Sequence, residues 1–452
     1  MRLRDEAPVI DGLLVFDLDV HKDERGWFKE VWQREKMLEL GLPDFKPVQN
    51  NVSFNEFAGT TRGMHAEPWD KLVAVATGRI FAAWIDMRAD SPTFGVQMTV
   101  EIGAESAVFV PRGVANGYQT LEDATTYIYL VNDHWSPKAS YVLTNLNQIE
   151  WPLKPTMVSE KDKAHPPVDQ SGSIRPKAVL VTGADGQLGR ALKRLKPEWD
   201  FRTKSDFDIT NPPDLDWRQY QAIINCAAIT DVDGSENEPE STWKVNATGV
   251  AQLAQISTTN NLTLVQLSSD YVQSGGSDLP LTENRTTYAP LNVYGASKAA
   301  GELAARAHPE SYVVRTSWVF GEGPNFVSTM MRLAEEGKEP NVVNDQLGRP
   351  TYAADLAEFI CHLIETKPAY GVYNFSNSGP VSSWYEIACE IFKKLGHGNQ
   401  PSPISTNEFT AGKPVAKRPR FSMFDLSKAR KTGFDIRSWA EALDEFIDGG
   451  RW

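Results

Sequence analysis

An apolar run leads directly into a glycine-rich turn in Val179-Leu180-Val181-Thr182-Gly183-Ala184-Asp185-Gly186-Gln187-Leu188-Gly189. A turn of this kind between a strand and a helix lets the backbone approach a pyrophosphate, which then binds at the N-terminus of the helix. The turn alone is weak evidence, because many glycine-rich turns after strands are structural. Its surroundings strengthen it, and the segment predicts a dinucleotide-binding turn at Gly183, Gly186 and Gly189.

The sequence from Lys177 onward alternates strand-like apolar runs with helical stretches rich in Ala, Leu, Lys and Glu. The predicted strands are Ala178–Val181, Ala222–Asn225, Leu262–Leu267 and Tyr312–Val314, and a helix is predicted from about Gln187. This alternation is typical of βαβ units. We predict an α/β Rossmann fold with a doubly wound parallel sheet, of the extended short-chain dehydrogenase type.

The sequence before that point is predominantly β. From about Pro8 to Trp151, short apolar runs are separated by turn residues, and Glu30–Leu40 is the plausible helix. Regular short strands with turn signals indicate a sandwich or barrel, and a jelly-roll barrel has room for a small ligand. The predicted strands include Leu72–Ala76, Ile80–Ile85, Val96–Ile102 and Ala107–Val110.

The change from a β-rich half to a half in which predicted strands and helices alternate indicates a multidomain chain, as expected for 452 residues. We predict a jelly-roll domain at 1–170, a linker at 171–176 and a nucleotide-binding domain at 177–452. Ser171-Gly172-Ser173 is expected to be the most flexible point of the joint. Val158–Asp162 is expected to fold back onto the first domain.

Composition excludes several classes of function. A formal charge of −13 argues against nucleic-acid binding, which needs a basic face. The three cysteines lie far apart, so reduced thiols are expected. The charged N-terminus lacks an apolar signal region, and no stretch approaches the ~20 apolar residues that span a bilayer. We therefore expect a soluble cytoplasmic protein without a membrane partner.

Tyr294 and Lys298 are four residues apart and share one face of a predicted helix. A neighbouring ammonium is expected to stabilise the Tyr294 phenolate, so that the phenol can exchange a proton with a developing alkoxide. Ser269, at the end of a predicted strand, is a candidate hydrogen-bond donor to the same oxygen. The pattern predicts hydride transfer with a nicotinamide cofactor. Arg202 and Lys204 favour NADPH over NADH, although solvated surface charge explains them equally well.

His65 stands in a turn-rich segment and has two interpretations. Many lone histidines are structural, but a base near pKa 6–7 is also what proton abstraction next to a carbonyl needs. Lys71 and Tyr129 are residue types that supply a cation and an acid, and Asp162 is available to orient the imidazole. The sequence has no His-x-His cluster, so no metal is expected.

The downstream half resembles dTDP-4-dehydrorhamnose reductase over residues 177–452. The resemblance is carried by Asn225–Asp233, Glu238–Glu240, Val245–Ala247, Ser268–Val272, Asn292–Lys298, Arg315–Gly321, Asp345–Thr351 and Arg418-Pro419. It implies that Tyr294 protonates the reduced 4-keto oxygen of a dTDP-sugar, with Lys298 and Ser269 in support and Tyr271 and Trp318 against the substrate. The implied cofactor contacts are Gly183, Asp185, Gly186, Gln187, Leu188, Gly189, Arg202, Asp208, Ile209, Ala227, Ala228, Tyr294 and Lys298. Ser269 replaces the usual Thr.

The upstream half resembles dTDP-4-dehydrorhamnose 3,5-epimerase, a cupin-type jelly roll, over about residues 8–168. The matching stretches are Asp23–Glu30, Gln49–Ser53, Thr61–His65, Asp70–Val73, Asp86–Arg88, Ser91–Gly95, Val110–Gly113, Trp151-Pro152 and Ser159–Asp162. The resemblance assigns proton transfer to His65, Lys71, Tyr129 and Asp162. The implied substrate contacts are Arg25, Phe28, Glu30, Gln49, Asn51, Arg62 and Asn116. Ala82, Asn116 and Leu130 depart from the family pattern, and Arg112 is a possible substitute phosphate contact.

The two resemblances together imply a fusion that makes dTDP-L-rhamnose from dTDP-4-dehydro-6-deoxy-D-glucose by 3,5-epimerisation and reduction of the 4-keto group. Epimerases of this kind are usually dimers, so a homodimer through the jelly-roll domain is expected. Two alternatives remain open. In the first, the upstream half is a degenerate binding or docking module for the reductase. In the second, both reactions take place on another NDP-sugar.

Overall fold

The computed structural model describes residues 1–4, 9–136, 139–273, 279–284, 288–396 and 398–449. Pro8, where the predicted β region begins, and the last three residues lie outside these ranges. The chain divides into two compact units, Met1–Pro176 and Lys177–Trp452. Within the described ranges, every helix is too short or too polar to cross a membrane.

The first unit is built mainly from antiparallel strands. Its strands are β1 (Arg2–Leu3), β2 (Leu14–Asp17), β3 (Val20–Asp23), β4 (Gly26–Lys29), β5 (Gln49–Asn55), β6 (Thr61–Ala66), β7 (Lys71–Thr77), β8 (Ile80–Asp86), β9 (Gln97–Ile102), β10 (Ser106–Val110), β11 (Val114–Thr120), β12 (Thr125–Val131) and β13 (Val142–Leu143). Its helices are α1 (Arg34–Glu39) and α2 (Glu160–Lys163), with 3-10 turns at Leu146–Gln148 and Val168–Gln170. The predicted strands at β7, β8, β9 and β10 are confirmed.

Two sheets enclose the core of the first unit. One has the strand order β1-β2-β10-β7-β12-β5 and the other β13-β6-β11-β8-β9. Val73 and Val108 from the first sheet pack with Trp84 from the second, and all three side chains are fully buried. Their burial is the main favourable contribution to holding the sheets face to face.

Two predictions about this unit need adjustment. Helix α1 begins at Arg34 rather than Glu30, because Gln33 has an extended backbone and its side chain accepts the Lys36 N–H, which caps the helix. The tail does fold back, as predicted, and brings Asp162 against β6. Within the segment predicted to be a linker, Ile174 is buried and pairs with Arg88.

The second unit contains both strands and helices. Its strands are β14 (Ala178–Thr182), β15 (Asp200–Arg202), β16 (Tyr220–Asn225), β17 (Thr263–Ser269), β18 (Ser311–Thr316), β19 (Val319–Phe320), β20 (Asn341–Val343), β21 (Leu347–Gly348), β22 (Thr351–Tyr352), β23 (Gly371–Asn374), β24 (Ser382–Ser383), β25 (Ser402–Ile404) and β26 (Phe421–Ser422). Its helices are α3 (Gln187–Leu195), α4 (Val232–Asn237), α5 (Pro239–Trp243), α6 (Val250–Asn260), α7 (Val293–Arg306), α8 (Phe326–Glu335), α9 (Ala353–Thr366), α10 (Trp384–Leu395), α11 (Thr406–Thr410), α12 (Ser427–Lys431) and α13 (Trp439–Asp448). A π-helical turn spans Lys244–Gly249, and 3-10 turns span Trp217–Gln219 and Asp270–Val272.

The main sheet of the second unit is parallel, as predicted. Its order is β15-β14-β16-β17-β18-β23, so successive connections run to opposite sides of β14. Ligands of open parallel sheets bind outside the carboxyl ends of the strands where this reversal occurs. The glycine-rich turn after β14 and the end of β17 therefore lie at the functional edge of this sheet.

A buried ion pair holds helix α7 against this sheet. Glu302 of α7 receives two guanidinium hydrogen bonds from Arg315 of β18, at 2.5 and 3.0 Å, and both side chains are almost fully buried. The hydroxyls of Ser268 and Tyr288 donate to the same carboxylate, each at 2.8 Å. Removing one partner of such a pair leaves an uncompensated buried charge.

We therefore expect Glu302→Ala to lower the free energy of unfolding of the second unit by about 3–5 kcal/mol. Urea unfolding followed by circular dichroism measures the loss. Glu336→Ala is the matched control, because its pair with Arg332 is exposed and should contribute little. Equal stability of the two variants would contradict this account of α7.

Candidate active sites

The first unit contains a cavity of about 590 Å³ beside strand β6. His65, Lys71, Tyr129 and Asp162 all line it, although they are spread over nearly a hundred residues of sequence. The fold thus brings together the four side chains for which proton chemistry was predicted. Arg62 and Asn116 line the same cavity.

His65 and Asp162 form a hydrogen-bonded pair in the cavity wall. Nε2 of His65 lies 2.9 Å from Oδ1 of Asp162, whose other oxygen faces the Gly63 N–H at 3.4 Å. Burial raises the pKa of Asp162, but the hydrogen bond and charge of His65 and the Gly63 N–H outweigh it and hold this pKa below its usual value. An ionised carboxylate only accepts hydrogen bonds, so Nε2 of His65 carries a proton and Nδ1 is the basic atom.

His165 is a neighbour that the sequence did not indicate. Its Nε2 lies 3.9 Å from Oδ1 of Asp162, and its ring centroid is 5.4 Å from that of His65. Burial, followed by the proximity of His65, lowers the pKa of His165. The ligating atoms of His65, Asp162 and His165 lie within 4.8 Å of one another. The sequence suggested no such cluster because a hundred residues separate the two histidines, and the expectation of no metal stays a prediction.

Lys71 and Tyr129 lie together in the cavity wall. Lys71 Nζ is 5.2 Å from the centroid of the Tyr129 ring and forms an ion pair with Glu67. Burial, followed by the charge of Glu67, raises the pKa of Tyr129 to about 12, so this phenol keeps its proton at neutral pH. Glu67 also lines the cavity and was missed, because it lies in a loop without periodicity.

Asn116 belongs to a buried polar network. Its side-chain oxygen accepts the Trp84 indole N–H at 3.0 Å, and its amide donates to the Tyr127 hydroxyl at 3.2 Å. Asn116, which departs from the family pattern, is therefore hydrogen-bonded to both Trp84 and Tyr127. Arg112, considered as a substitute phosphate contact, instead donates to the Arg175 carbonyl at 2.6 Å and is not among the residues that line the cavity.

Five predicted substrate contacts do not line this cavity. Arg25 is highly exposed and pairs with Asp23, Phe28 is 68 % exposed, and Glu30 pairs with Lys36. The hairpin β3–β4 and its flank thus present these side chains to solvent. Gln49 and Asn51 hydrogen-bond each other on β5, where Asn51 pairs with Tyr129 in register.

At two of its glycines, the backbone of the glycine-rich turn in the second unit lies so close to neighbouring backbone atoms that no side chain fits there. Gly183 has a positive φ of 67°, and a Cβ there would lie 2.6 Å from the Ala227 nitrogen. A Cβ on Gly189 would lie 2.5 Å from the Gly183 carbonyl oxygen. Gly186 is the N-cap of α3 and offers no side chain to the first N–H groups of that helix. These groups are well suited to bind a phosphate.

The remaining predicted cofactor residues lie at the start of α3 or on neighbouring loops. Asp185 is exposed, Gln187 donates to the Pro324 carbonyl, and Leu188 is buried. Asp208 accepts hydrogen bonds from Thr210, and Ile209 is buried against Gly249. Ala227 and Ala228 directly follow β16.

Arg202 stands at the end of β15, next to the glycine-rich turn. Its guanidinium forms two hydrogen bonds with Asp200, at 2.7 and 3.0 Å, and its carbonyl accepts the Ala184 N–H. Asp200 therefore offsets part of the positive charge that favours a cofactor phosphate. The Arg202 side chain is 38 % exposed.

Ser269, Tyr294 and Lys298 converge at the carboxyl end of β17. The Lys298 ammonium donates to the Leu267 carbonyl at 2.6 Å, and burial lowers its pKa to about 8. The expected stabilisation of the Tyr294 phenolate by this ammonium stays a prediction. Burial raises the pKa of Tyr294 to about 12, opposed only by a hydrogen bond with Ser269.

Two of the predicted substrate contacts are the aromatic residues Tyr271 and Trp318. Tyr271 packs edge-on against Tyr294 with ring centroids 5.4 Å apart. Trp318 has a positive φ of 50° and stacks on Trp384 at 3.9 Å. Trp384 was missed, because a Trp at the start of a helix gives no signal for contact with another residue 66 positions away. A Cβ on Gly348 would lie 2.9 Å from the Trp318 ring, so this glycine is needed for the close contact.

Comparisons with known proteins assign a family to each unit. The family model for dTDP-4-dehydrorhamnose 3,5-epimerase matches residues 8–170, and the RmlD substrate binding domain model matches residues 177–451. A protein RmlC homolog from Streptococcus pyogenes is 45% identical over 184 residues, which cover 38% of this chain and 92% of the relative. The dTDP-4-dehydrorhamnose reductase of Aggregatibacter actinomycetemcomitans is 38% identical over 291 residues, or 59% and 96% of the two chains.

The chain belongs to both families.

A solved structure supports the same assignment for the second unit. The dTDP-4-dehydrorhamnose reductase from Bacillus anthracis, crystallised with NADP, matches with a TM-score of 0.56 and 40% identity. The match covers 61% of this chain and 99% of that protein. The first unit is therefore an epimerase-family unit that contains a hydrogen-bonded His–Asp pair, and the second is a reductase-family unit in which Ser269, Tyr294 and Lys298 lie together.

Proposed function

We propose that the chain makes dTDP-L-rhamnose in two steps. The epimerase-family unit, a cupin-type jelly roll, inverts carbons 3 and 5 of dTDP-4-dehydro-6-deoxy-D-glucose. The reductase-family unit, a Rossmann-type domain, then reduces the 4-keto group. The observation that carries the proposal is the oriented His65–Asp162 pair in a cavity that also exposes Lys71 and Tyr129. The choice of a dTDP-sugar as the substrate rests on the names of the relatives and of the epimerase family model.

In the first step, His65 removes the proton from carbon 3 and later from carbon 5. The bonding electrons of each C–H bond move to the carbonyl oxygen and form an enolate, whose charge the Lys71 ammonium offsets. Tyr129, which is neutral at pH 7, then protonates the same carbon from the opposite face. His65 releases its proton to solvent and Tyr129 takes one up before the second inversion. Asp162 is the positioning residue, because its carboxylate fixes the tautomer of His65.

In heavy water without a nicotinamide cofactor, the protein should incorporate deuterium at carbons 3 and 5 of the 4-keto sugar. We expect His65→Ala to slow this exchange by about 10²-fold or more, the usual contribution of a general base. Proton NMR of the recovered sugar measures the exchange. Tyr294→Phe is the control and should exchange normally. Unchanged exchange in His65→Ala would remove His65 as the base.

The reductase-family unit fits a dinucleotide at its glycine-rich turn. The space beside Gly183 and Gly189 is too narrow for a side chain, and the α3 N-terminus lies next to it. NADPH, when bound there, supplies a hydride to carbon 4. Arg202 and the NADP of the Bacillus anthracis relative favour NADPH over NADH.

Tyr294 gives its hydroxyl proton to the oxygen that becomes an alkoxide when carbon 4 is reduced. A pKa of about 12 suits this role, because an alkoxide is a stronger base than a phenolate. The Lys298 ammonium, with a pKa of about 8, is mostly charged at neutral pH and offsets the phenolate that remains. Ser269 hydrogen-bonds the phenol.

Tyr294→Phe should lower NADPH oxidation by about 10²–10⁴-fold, because the proton donor is lost while the ring still fills its site. Absorbance at 340 nm measures the rate, and cofactor fluorescence checks that NADPH binding is retained. His65→Ala, supplied with the epimerised sugar, should reduce it normally. Full turnover by Tyr294→Phe would refute the assignment.

We also propose that the epimerase-family unit forms a homodimer that completes its sugar-nucleotide site. Strand β5 lies at a sheet edge and exposes Val52 and Phe54, at 65 and 61 %. Exposed apolar edge strands usually bind another chain. Arg25 and Phe28 are exposed and outside their own cavity, as expected for side chains that reach a partner.

Light scattering should give twice the chain mass of 50.3 kDa. Arg25→Ala and His65→Ala should each lose epimerisation. Coexpression of the two variants should restore part of it, because a mixed dimer contains one site with both residues intact. Each homodimer alone serves as the control. A dimer without restored activity would show that Arg25 acts in its own chain.

A further inference from the structure

Asp270 is a buried carboxyl directly beside the hydroxyl of the reductase site. Its side chain is 2 % exposed. One oxygen accepts the Ser269 hydroxyl at 2.9 Å, and the other accepts the Ser422 hydroxyl at 2.5 Å. Ser422 belongs to β26, 152 residues further along the chain. Neither the mechanism above nor the family patterns in the sequence gave this carboxyl a task.

The contact with Asp270 uses the single proton of the Ser269 hydroxyl. When the carboxyl is ionised it only accepts, so the Ser269 O–H points toward Asp270. The Ser269 oxygen also receives the Tyr271 N–H at 3.2 Å and is hydrogen-bonded with Tyr294. In this state Ser269 has no proton left to donate to the keto oxygen of a sugar.

A protonated Asp270 reverses the direction of this hydrogen bond. The carboxylic acid donates to the Ser269 oxygen, and the Ser269 O–H is free to turn toward the substrate. Ser269 then stabilises the developing alkoxide, while Tyr294 still supplies the proton that is transferred. Asp270 keeps its own proton throughout, so the numbers of protons and electrons that the reduction consumes do not change.

The surroundings of Asp270 allow this change near neutral pH. Burial raises the pKa of Asp270 to about 6, against the hydrogen bonds from Ser422, Ser269 and the backbone. The titratable groups that face it are Tyr271, on its own turn, and Tyr294, from α7, and burial and, to a lesser extent, the charge of Asp270 raise the pKa of both. The group facing it from β26 is the uncharged Ser422 hydroxyl.

We propose that Asp270 is a positioning residue whose protonation state sets the direction of the Ser269 hydroxyl and thereby the rate of carbonyl reduction. This inference rests on the proposed reductase function. Under this proposal, reduction is faster when the Asp270 carboxyl is neutral. Asp270→Asn imitates the neutral form, because an amide donates to one hydroxyl and accepts from the other.

The test is the pH dependence of reduction in the full chain. The protein is first incubated with dTDP-4-dehydro-6-deoxy-D-glucose until epimerisation reaches equilibrium, and is then mixed rapidly with NADPH between pH 5 and 9. In the wild type, the rate of the first turnover should rise about tenfold as pH falls through about 6, a fraction of what one donor to an oxyanion contributes. Any rise near pH 8 belongs to Lys298.

Asp270→Asn should lack the rise near pH 6 and keep the fast rate of the acidic wild type at pH 7.5. Ser422→Ala removes one donor to the carboxylate and should move the midpoint to higher pH, whereas Ser422→Thr, which keeps a hydroxyl, should restore it. A rise at an unchanged midpoint in Asp270→Asn would overturn the inference, as would uniformly slow reduction by that variant. An unmoved midpoint in Ser422→Ala would also count against it. Absence of NADPH oxidation in the wild type would instead refute the reductase function itself.

Discussion

The ion pair between Glu302 and Arg315 fixes the arrangement on which the reductase-family site depends. Two charges that are almost fully buried must stay paired, so helix α7 cannot rotate or slide on β18 without a large loss of stability. The same carboxylate accepts the hydroxyl of Ser268, which directly precedes Ser269 at the end of β17. One acidic side chain therefore holds both the helix that carries Tyr294 and the strand end that carries Ser269. This buried pair serves mainly to hold those two elements in register.

The epimerase-family unit uses a similar arrangement with different parts. Its proposed base, His65, lies on a strand, whereas Asp162 belongs to the tail, 97 residues later. The tail is itself held by the cap of α2, where the Ser159 hydroxyl accepts the Asp162 N–H at 3.1 Å. The imidazole is thus oriented by a short helix, and the segment before that helix is bonded to β6 through the Met157 carbonyl, which accepts the Thr61 N–H at 2.9 Å. In both units, a carboxylate from one element bonds a strand of the site: Asp162 bonds His65 on β6, and Glu302 of α7 bonds Ser268 on β17.

The residues that carry chemistry could be predicted from the sequence, but most of their partners could not. His65, Tyr294 and Lys298 lie in short motifs, and the strands around them have clear apolar patterns. Glu67, His165 and Trp384 became apparent only from the fold, because contacts across many residues leave no local pattern. Nor did the sequence indicate that burial raises the pKa of Tyr294. Sequence spacing correctly placed Lys298 on the same helix face, but it could not show that Lys298 binds the Leu267 carbonyl, nor that burial dominates.

Each of the two sites contains a buried tyrosine with a raised pKa. Tyr129 and Tyr294 both have a pKa of about 12, raised by burial. Such a phenol does not protonate a neutral ketone, but it does protonate an enolate or an alkoxide, which are much stronger bases. In the proposed mechanisms, each tyrosine therefore gives up its proton only after an enolate or an alkoxide has formed. The carbonyl that makes carbons 3 and 5 acidic is the group that reduction removes. Once carbon 4 is an alcohol, the inverted centres can no longer exchange, and reduction draws the reversible epimerisation to completion.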